Sequence, residues 1–233
     1  SFPNFPHGIC DDIEALSEIA LAHDIPLHVD ACLGGFLTAF HRYSNINTPK
    51  FDFVLKGVAS LSADLHKYGL CPKGISILLY KNKDYRKYQY FIYPKWMGGV
   101  YPSPTIVGSR TAAFVAASYA IMMYLGKQTY VNQAKKIHEA INKIKKFVKE
   151  NCKEIQVIGN PMVCVVAFTG KKVMYVFDEM NKKKWALNII CNPQGFSFVL
   201  TSANVQNIEN GKFLNDLKEA YDYVTYINTG YFN

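Results

Sequence analysis

Two segments do most to constrain what this chain folds into: His28-Val29-Asp30-Ala31-Cys32-Leu33-Gly34-Gly35 and Ser62-Ala63-Asp64-Leu65-His66-Lys67-Tyr68-Gly69. Each is entered from an apolar, strand-like run and breaks into a turn of small residues. In the first, one aspartate, Asp30, ends the strand-like run, and in the second one lysine, Lys67, stands between the run and a glycine. An acid at the carboxyl end of a buried strand stands where open α/β sheets place ligands.

The rest of the pattern is mixed α/β. Asp11-Asp12 precede Ile13, Leu16, Ile19 and Ala20, apolar positions at helical intervals, and two acids at a helix start suit its positive end. Pro26 ends that helix, and Leu27 to Asp30 read as a strand. Phe51 to Leu55, Val58 to Ser62 and Gly74 to Tyr80 read as further strands, the last apolar enough to be buried on both faces. Thr111 to Leu125 reads as a small-residue helix packed on the sheet. A lysine-rich helix follows, with Ile137, Ala140, Ile141, Ile144, Phe147 and Val148 recurring opposite the lysines. The remainder alternates strands (155–158, 163–168, 187–191, 196–201) with helices (173–184, 213–227), as in a small α/β domain. A boundary is expected near residue 127, separating 1–127 from 128–233.

Composition narrows the function classes. At 49% hydrophobic residues the chain buries a sizeable core. No run of about 18 apolar residues exists, so no transmembrane helix is expected. The first residues lack a basic stretch followed by an apolar one, so no secretory signal is expected. The formal net charge is +8, with lysines crowded at 135–149 and 171–184. A solvated helix face is the plain reading, and no nucleic-acid motif accompanies the charge, so nucleic acid is not an expected partner. Attraction to acidic lipid or to a phosphorylated substrate stays open. The six cysteines form no C-x-x-C pair, and no histidine stands at zinc-ligand spacing. They read as reduced thiols of a cytosolic or cytosol-facing protein that uses no metal. Cys32 and Cys71 lie near the suspected site, but neither has a visibly paired base, so neither is expected to be a nucleophile.

An amine and a carboxylate so placed suit pyridoxal 5'-phosphate. A lysine holds the cofactor aldehyde as a Schiff base, and a carboxylate keeps the pyridine nitrogen protonated so that the ring accepts electrons. Taken singly, Lys67 also reads as a surface lysine at a strand end and Asp30 as a turn cap. His28 alternates with Asp30 along the strand and either supports the carboxylate or fills core. Gly108-Ser109-Arg110 precedes a helix, where a hydroxyl and backbone N–H groups make an anion site or an ordinary N-cap. Lys73, in the tight Cys71-Pro72-Lys73-Gly74 loop, is a candidate for a second phosphate, that of a substrate, or a solvent lysine. Tyr68, Tyr80 and Tyr101 are candidates for hydrogen bonding or proton transfer, or for packing.

The chain resembles the sphingosine-1-phosphate lyase family in five blocks: Pro3-Asn4-Phe5-Pro6-His7-Gly8, Asp11-Asp12-Ile13-Glu14-Ala15-Leu16, His28 to Phe36, Ser62 to Gly69, and Ser103-Pro104-Thr105-Ile106-Val107-Gly108-Ser109-Arg110. The His66-Lys67 pair alone fits any group II pyridoxal phosphate decarboxylase, and the Asp30-Ala31-Cys32-Leu33-Gly34-Gly35 and Ser103-Pro104-Thr105-Ile106 blocks favour the lyases. The resemblance implies a PLP-dependent transferase-like α/β fold, fold type I. Residues 1–127 would be the C-terminal part of the large PLP-binding domain and 128–233 the small α/β C-terminal domain. It implies a homodimer with the site at the subunit interface. Lys67 would form the Schiff base, Asp30 would face the pyridine nitrogen, and Ala31 would pack beneath the ring. His66 would help hold the cofactor phosphate, and Ser109 would reach it from the neighbouring subunit. Lys73 would bind the substrate phosphate, with Tyr80 also on the substrate side and Tyr101 near the reacting groups.

The implied activity cleaves the C2–C3 bond of a phosphorylated sphingoid base into a fatty aldehyde and phosphoethanolamine. The rivals are an amino-acid decarboxylase and a catalytically silent fragment acting as a dimerisation module. Leu70 and Cys71 stand where the family often has tyrosine and alanine, and Thr111-Ala112-Ala113 replaces a more glycine-rich run. The family's N-terminal half, with its phosphate cup and ring-stacking histidine, has no counterpart in residues 1–233. A fragment, or one half of a split enzyme, is therefore expected, and a poor catalyst alone. Eukaryotic members are commonly anchored in the endoplasmic reticulum with the catalytic part facing the cytosol.

Overall fold

The computed structural model describes residues 1–230. The chain divides into two compact units, the first made of Ser1–Phe2, Asp12–Phe36 and Pro49–Lys127, the second of Pro3–Asp11, Leu37–Thr48 and the residues from Gln128 onward.

In the first unit, helix α1 (Ile13–Ala22) starts where Asp12 Oδ1 accepts the Ala15 N–H at 3.0 Å, which satisfies a donor the first turn otherwise leaves open. It buries Ile13, Ser17 and Ala20. The buried Ser17 hydroxyl accepts the Gly57 N–H at 2.9 Å. A Cβ at Gly57 would lie 2.4 Å from the Ser17 carbonyl oxygen, so only glycine allows this approach. Strand β1 (Leu27–Asp30) follows, and short helix α2 (Gly35–Thr38) comes after it. Strand β2 (Val58–Asp64) pairs parallel with β1, setting Asp30 opposite Ser62, and antiparallel with β3 (Ser76–Tyr80), setting Ala63 opposite Ile77.

Two expectations change here. Phe51 to Leu55 form turns rather than a strand, because the Asp52 carboxylate takes the Val54 N–H at 3.0 Å and the Asp52 carbonyl takes the Leu55 N–H at 3.1 Å. A local side-chain acceptor of this kind competes with the ladder. Phe51 serves the core instead, stacked on Phe2 with centroids 4.5 Å apart. Strand β3 exists, but it is not buried on both faces: Leu78 and Leu79 are exposed, so its apolar run finds no cover among the described residues of this unit. After helix α3 (Lys83–Arg86), strands β4 (Phe91–Trp96) and β5 (Gly99–Ser103) form a hairpin that the pattern did not announce. Helix α4 (Ala113–Asn151) leaves helical geometry at Gly126, whose φ of 69° and ψ of 166° suit glycine.

The second unit builds a four-stranded antiparallel sheet from β6 (Ile155–Val157), β7 (Val165–Gly170), β8 (Asn188–Cys191) and β9 (Gln194–Val199), in the order β6-β7-β9-β8. Val165, Val166, Ala167 and Phe168 are all buried, which is why β7 reads as a continuous apolar run without alternation. Helix α5 (Val173–Lys182) packs on β9 and on α7 (Lys212–Gly230), with short α6 (Val205–Glu209) between the last strand and α7. The rings of Phe198 and Phe213 stack at 4.4 Å, with Trp185 edge-on to both.

His41 is an outlier in this unit. It is 1% exposed, its Nδ1 is 2.8 Å from the Thr48 hydroxyl, and its Nε2 has no partner. His138 faces it edge-on at 5.9 Å. Burial, with the His138 charge adding to it, pushes its pKa down from 6.5 to about 4. A folded-state value below the unfolded one means that the unfolded chain binds the proton first. The stability carried by neutral His41 is complete above pH 6.5 and is lost as the pH falls towards 4, a loss of about 3 kcal/mol. Denaturant midpoints between pH 7 and 4 should fall more steeply in the unaltered chain than in His41→Gln. Parallel slopes would show that His41 titrates normally.

Among the described residues no helix is long and apolar enough to cross a membrane.

Candidate active site

Parallel pairing of β1 and β2 brings their carboxyl ends to the same edge of the sheet. The turn after β1 carries Ala31 and Cys32, and the turn after β2 carries Leu65, His66 and Lys67. Two backbone bonds tie the turns together: the Ala31 N–H donates to the Ser62 carbonyl and the Asp64 N–H to the Cys32 carbonyl, each at 3.1 Å.

Cys32 joins the two residues singled out from the sequence. Its N–H donates to Asp30 Oδ1 at 3.0 Å, and its Sγ lies 3.4 Å from Lys67 Nζ. Asp30 Oδ1 also accepts from the Ser62 hydroxyl at 3.2 Å. Lys67 Nζ donates to Asp64 Oδ2 at 2.8 Å, in a contact where the carboxylate side chain is only 10% exposed. His28 is exposed on the same side of β1 as Asp30 and bonds Ser60 through Nδ1 at 2.8 Å. It therefore does not fill core.

The charges follow from these contacts. Hydrogen bonding from Cys32 outweighs desolvation, and with help from Ser62 and the nearby His28 it holds the Asp30 carboxyl below the usual range. Asp30 is thus an anion throughout the neutral range. Burial acts to lower the Lys67 ammonium, but the Asp64 hydrogen bond and the surrounding anionic character outweigh it and raise the value. Burial, and then the Asp30 carboxylate, raise the Cys32 thiol, with Lys67 opposing. Cys32 therefore stays a thiol near pH 7, and the anion that holds Lys67 charged there is Asp64.

The structure does not draw every expected residue into this cluster. His66 is fixed beside it: Nδ1 donates to the Ile75 carbonyl at 2.6 Å, because a carbonyl only accepts, and Nε2 is 3.6 Å from Asp64 Oδ2. Ala31, expected beneath the ring, is fully enclosed by protein. A Cβ at Gly35 would lie 2.7 Å from its methyl, so Ala31 packs behind the cluster and Cys32 forms its partly open side. Lys73 is exposed in the turn before β3, and Tyr80 is half-buried at the far end of that strand. Tyr101 is exposed in β5, edge-on to Trp96 at 5.8 Å. Ser109 is exposed and lies outside α4, where the Thr111 hydroxyl accepts the Ala113 N–H at 3.2 Å. Among the described residues none of Lys73, Tyr80, Tyr101 and Ser109 hydrogen-bonds to the Lys67 cluster.

Asp64 was missed as a functional residue. Its signal was present: an acid at the end of an apolar strand needs a cation when buried, and Lys67 stands three positions on. The amine, the carboxylate and the partly open Cys32 edge between them fit a pyridoxal group. Lys67 would bond the aldehyde carbon and Asp30 would meet the ring nitrogen.

Comparison with known proteins gives a consistent picture. Residues 6–171 match the pyridoxal-dependent decarboxylase conserved domain. The chain is 44% identical over 227 residues to a sphingosine-1-phosphate lyase of Arabidopsis thaliana, covering 96% of this chain and 41% of that relative. It superposes on the solved sphingosine-1-phosphate lyase of Burkholderia pseudomallei with a TM-score of 0.88 at 36% identity, covering 97% of this chain and 52% of that one. Glutamate decarboxylase of Lactobacillus brevis shares the fold alone, with a TM-score of 0.69 at 21% identity. These neighbours have PLP-dependent fold type I. The chain spans well under two thirds of the length of the relatives it matches.

Proposed function

We propose, from the premise that this chain belongs to the pyridoxal-dependent decarboxylase family, that it is part of an aldehyde-lyase acting on a phosphorylated sphingoid base. The observation that carries this reading is the contact of Lys67 and Asp30 with one residue, Cys32, at the carboxyl ends of adjacent parallel strands. The relatives it matches, sphingosine-1-phosphate lyases, supply the substrate class.

Pyridoxal 5'-phosphate, when bound, supplies an electron sink. The chain's own residues do the rest. Lys67 provides the amine that holds the cofactor covalently, and Asp64 orients that amine. Asp30, an anion at neutral pH, keeps a proton on the ring nitrogen. Cys32 holds the two side chains in register, and His66 would help hold the cofactor phosphate. Loss of the proton from the substrate's C3 hydroxyl lets the C2–C3 bond break. C3 leaves as the fatty aldehyde, and C2 takes a proton to give phosphoethanolamine. On the family resemblance, Tyr101 would act near the reacting groups, Lys73 with Tyr80 would take the substrate phosphate, and Ser109 would serve the site of a second subunit.

A homodimer, together with the remainder of the family's length, would cover the apolar surface that the first unit leaves open at Leu78, Leu79, Phe91, Ile92, Trp96 and Val115. Residues 1–127 would then be the C-terminal part of the large domain and 128–233 the small one. All six cysteines are free thiols, which suits work on the cytosolic side of a membrane, whether or not the parent is anchored there.

The test uses the full polypeptide that carries this chain. Aldehyde release from a phosphorylated sphingoid base, and little from its unphosphorylated form, is the expected result. Carbon dioxide release from common amino acids without aldehyde release would overturn the reading in favour of a decarboxylase. Lys73→Ala should lower kcat/KM for the phosphorylated substrate by about 10-fold, the worth of a charge-assisted hydrogen bond. Unchanged discrimination between the two substrates would remove Lys73 from the phosphate site.

A further inference from the structure

Lys145 and Lys149, near the end of α4, and Lys153 just beyond it border one groove of about 390 Å³. The buried Val148 and Ile155 and the half-buried Val157 close its floor, and no carboxylate lines it. Lys145 Nζ donates to the Asn160 side-chain oxygen. Among the described residues, Lys149 and Lys153 hold no ion pair within 4.0 Å. Other lysines of the same unit do: Lys136 with Glu209, Lys172 with Glu154, Lys183 with Glu219 and Lys218 with Asp222.

We propose that this groove docks the protein on an anionic phospholipid bilayer. The three lysines match the headgroup phosphates in charge, and their own methylene stems let the ammonium groups reach those phosphates. The net charge of +8 adds attraction at longer range. A single-stranded nucleic acid would call for aromatic platforms on which bases stack, and no aromatic side chain lines the groove. These residues are distinct from the Lys67 cluster, so the proposal stands or falls apart from the catalytic one.

The experiment is vesicle co-sedimentation of the full chain, with phosphatidylcholine vesicles compared against vesicles that also contain phosphatidylserine. Binding should require phosphatidylserine and weaken as salt rises. Changing Lys145, Lys149 and Lys153 together to Gln should weaken it about 100-fold, about fivefold for each lysine near the surface. A control with the same loss of charge, Lys182→Gln with Lys184→Gln and Lys212→Gln, should cost far less. Equal loss in the two triple variants would show that net charge, and not the groove, governs binding, and would overturn the proposal. So would equal binding to both vesicle types, displacement by millimolar inorganic phosphate at constant ionic strength, or a preference for a homopolymeric RNA over the vesicles.

Discussion

Replacing Lys67 with alanine abolishes covalent attachment of pyridoxal phosphate to the full polypeptide. Borohydride reduction followed by peptide mass analysis should find the cofactor on the peptide containing Lys67 in the unaltered protein and on none in the variant. Activity should fall by at least about 10⁴-fold, the upper end of what one general acid or base contributes, because the same change removes the covalent tether. The fold should survive. Lys67 is partly exposed, and its departure leaves the Asp64 carboxylate beside His66 Nε2 at 3.6 Å. Cofactor still found covalently bound in Lys67→Ala would place the attachment elsewhere and end the proposal. Asp64→Asn separates positioning from attachment. It should keep the covalent cofactor but shift the pH dependence of attachment downwards, because the carboxylate that holds the Lys67 ammonium is gone. Asn retains a side-chain oxygen, so a merely structural loss would leave that profile unmoved.

Asp30→Asn is the second large effect. The amide keeps the shape, and its oxygen still accepts from the Cys32 N–H and the Ser62 hydroxyl. What it loses is charge. Without an anion facing the ring nitrogen, that nitrogen sheds its proton near neutral pH and the cofactor accepts electrons poorly. A loss of about 10²–10³-fold in kcat is expected, of the order seen when one preorganised electrostatic group is removed. KM should change little, since the substrate does not touch Asp30 in this scheme. The cofactor's absorbance should also acquire a pH dependence absent from the parent. A variant with unchanged kcat would show that Asp30 only caps the turn, through its bond to the Cys32 N–H.

Much of the fold was legible because its signals are local. Asp12 before an apolar period announced α1, and Leu27 to Asp30 and Val58 onward announced β1 and β2. The phenylalanine-rich strands of the second sheet read correctly for the same reason. Phe51 to Leu55 misled, because apolar content alone does not reveal that Asp52 will capture its neighbours' N–H groups. The β4–β5 hairpin was illegible. Pro94 and Pro102 within its strands weaken any strand signal, and its exposed aromatic side chains show no alternation between a buried and a solvated face. At the site, Lys67 and Asp30 were legible as chemistry, whereas Asp64 and Cys32 were not. Their importance lies in what they touch.

The amino-acid order settles which groups this chain brings to a reaction: an amine after one strand, an acid after another, each followed by small residues that let the backbone turn. Those are properties of neighbours in the chain. Whether the amine meets the acid depends on two strands far apart in sequence pairing parallel, with Asp30 set opposite Ser62. That register also puts the Cys32 carbonyl on the Asp64 N–H and the Cys32 sulfur beside Lys67. Pairing of this kind is decided by burial of Val29, Leu61 and Ala63 in one common core. That burial is a property of the folded chain, and no short segment carries it.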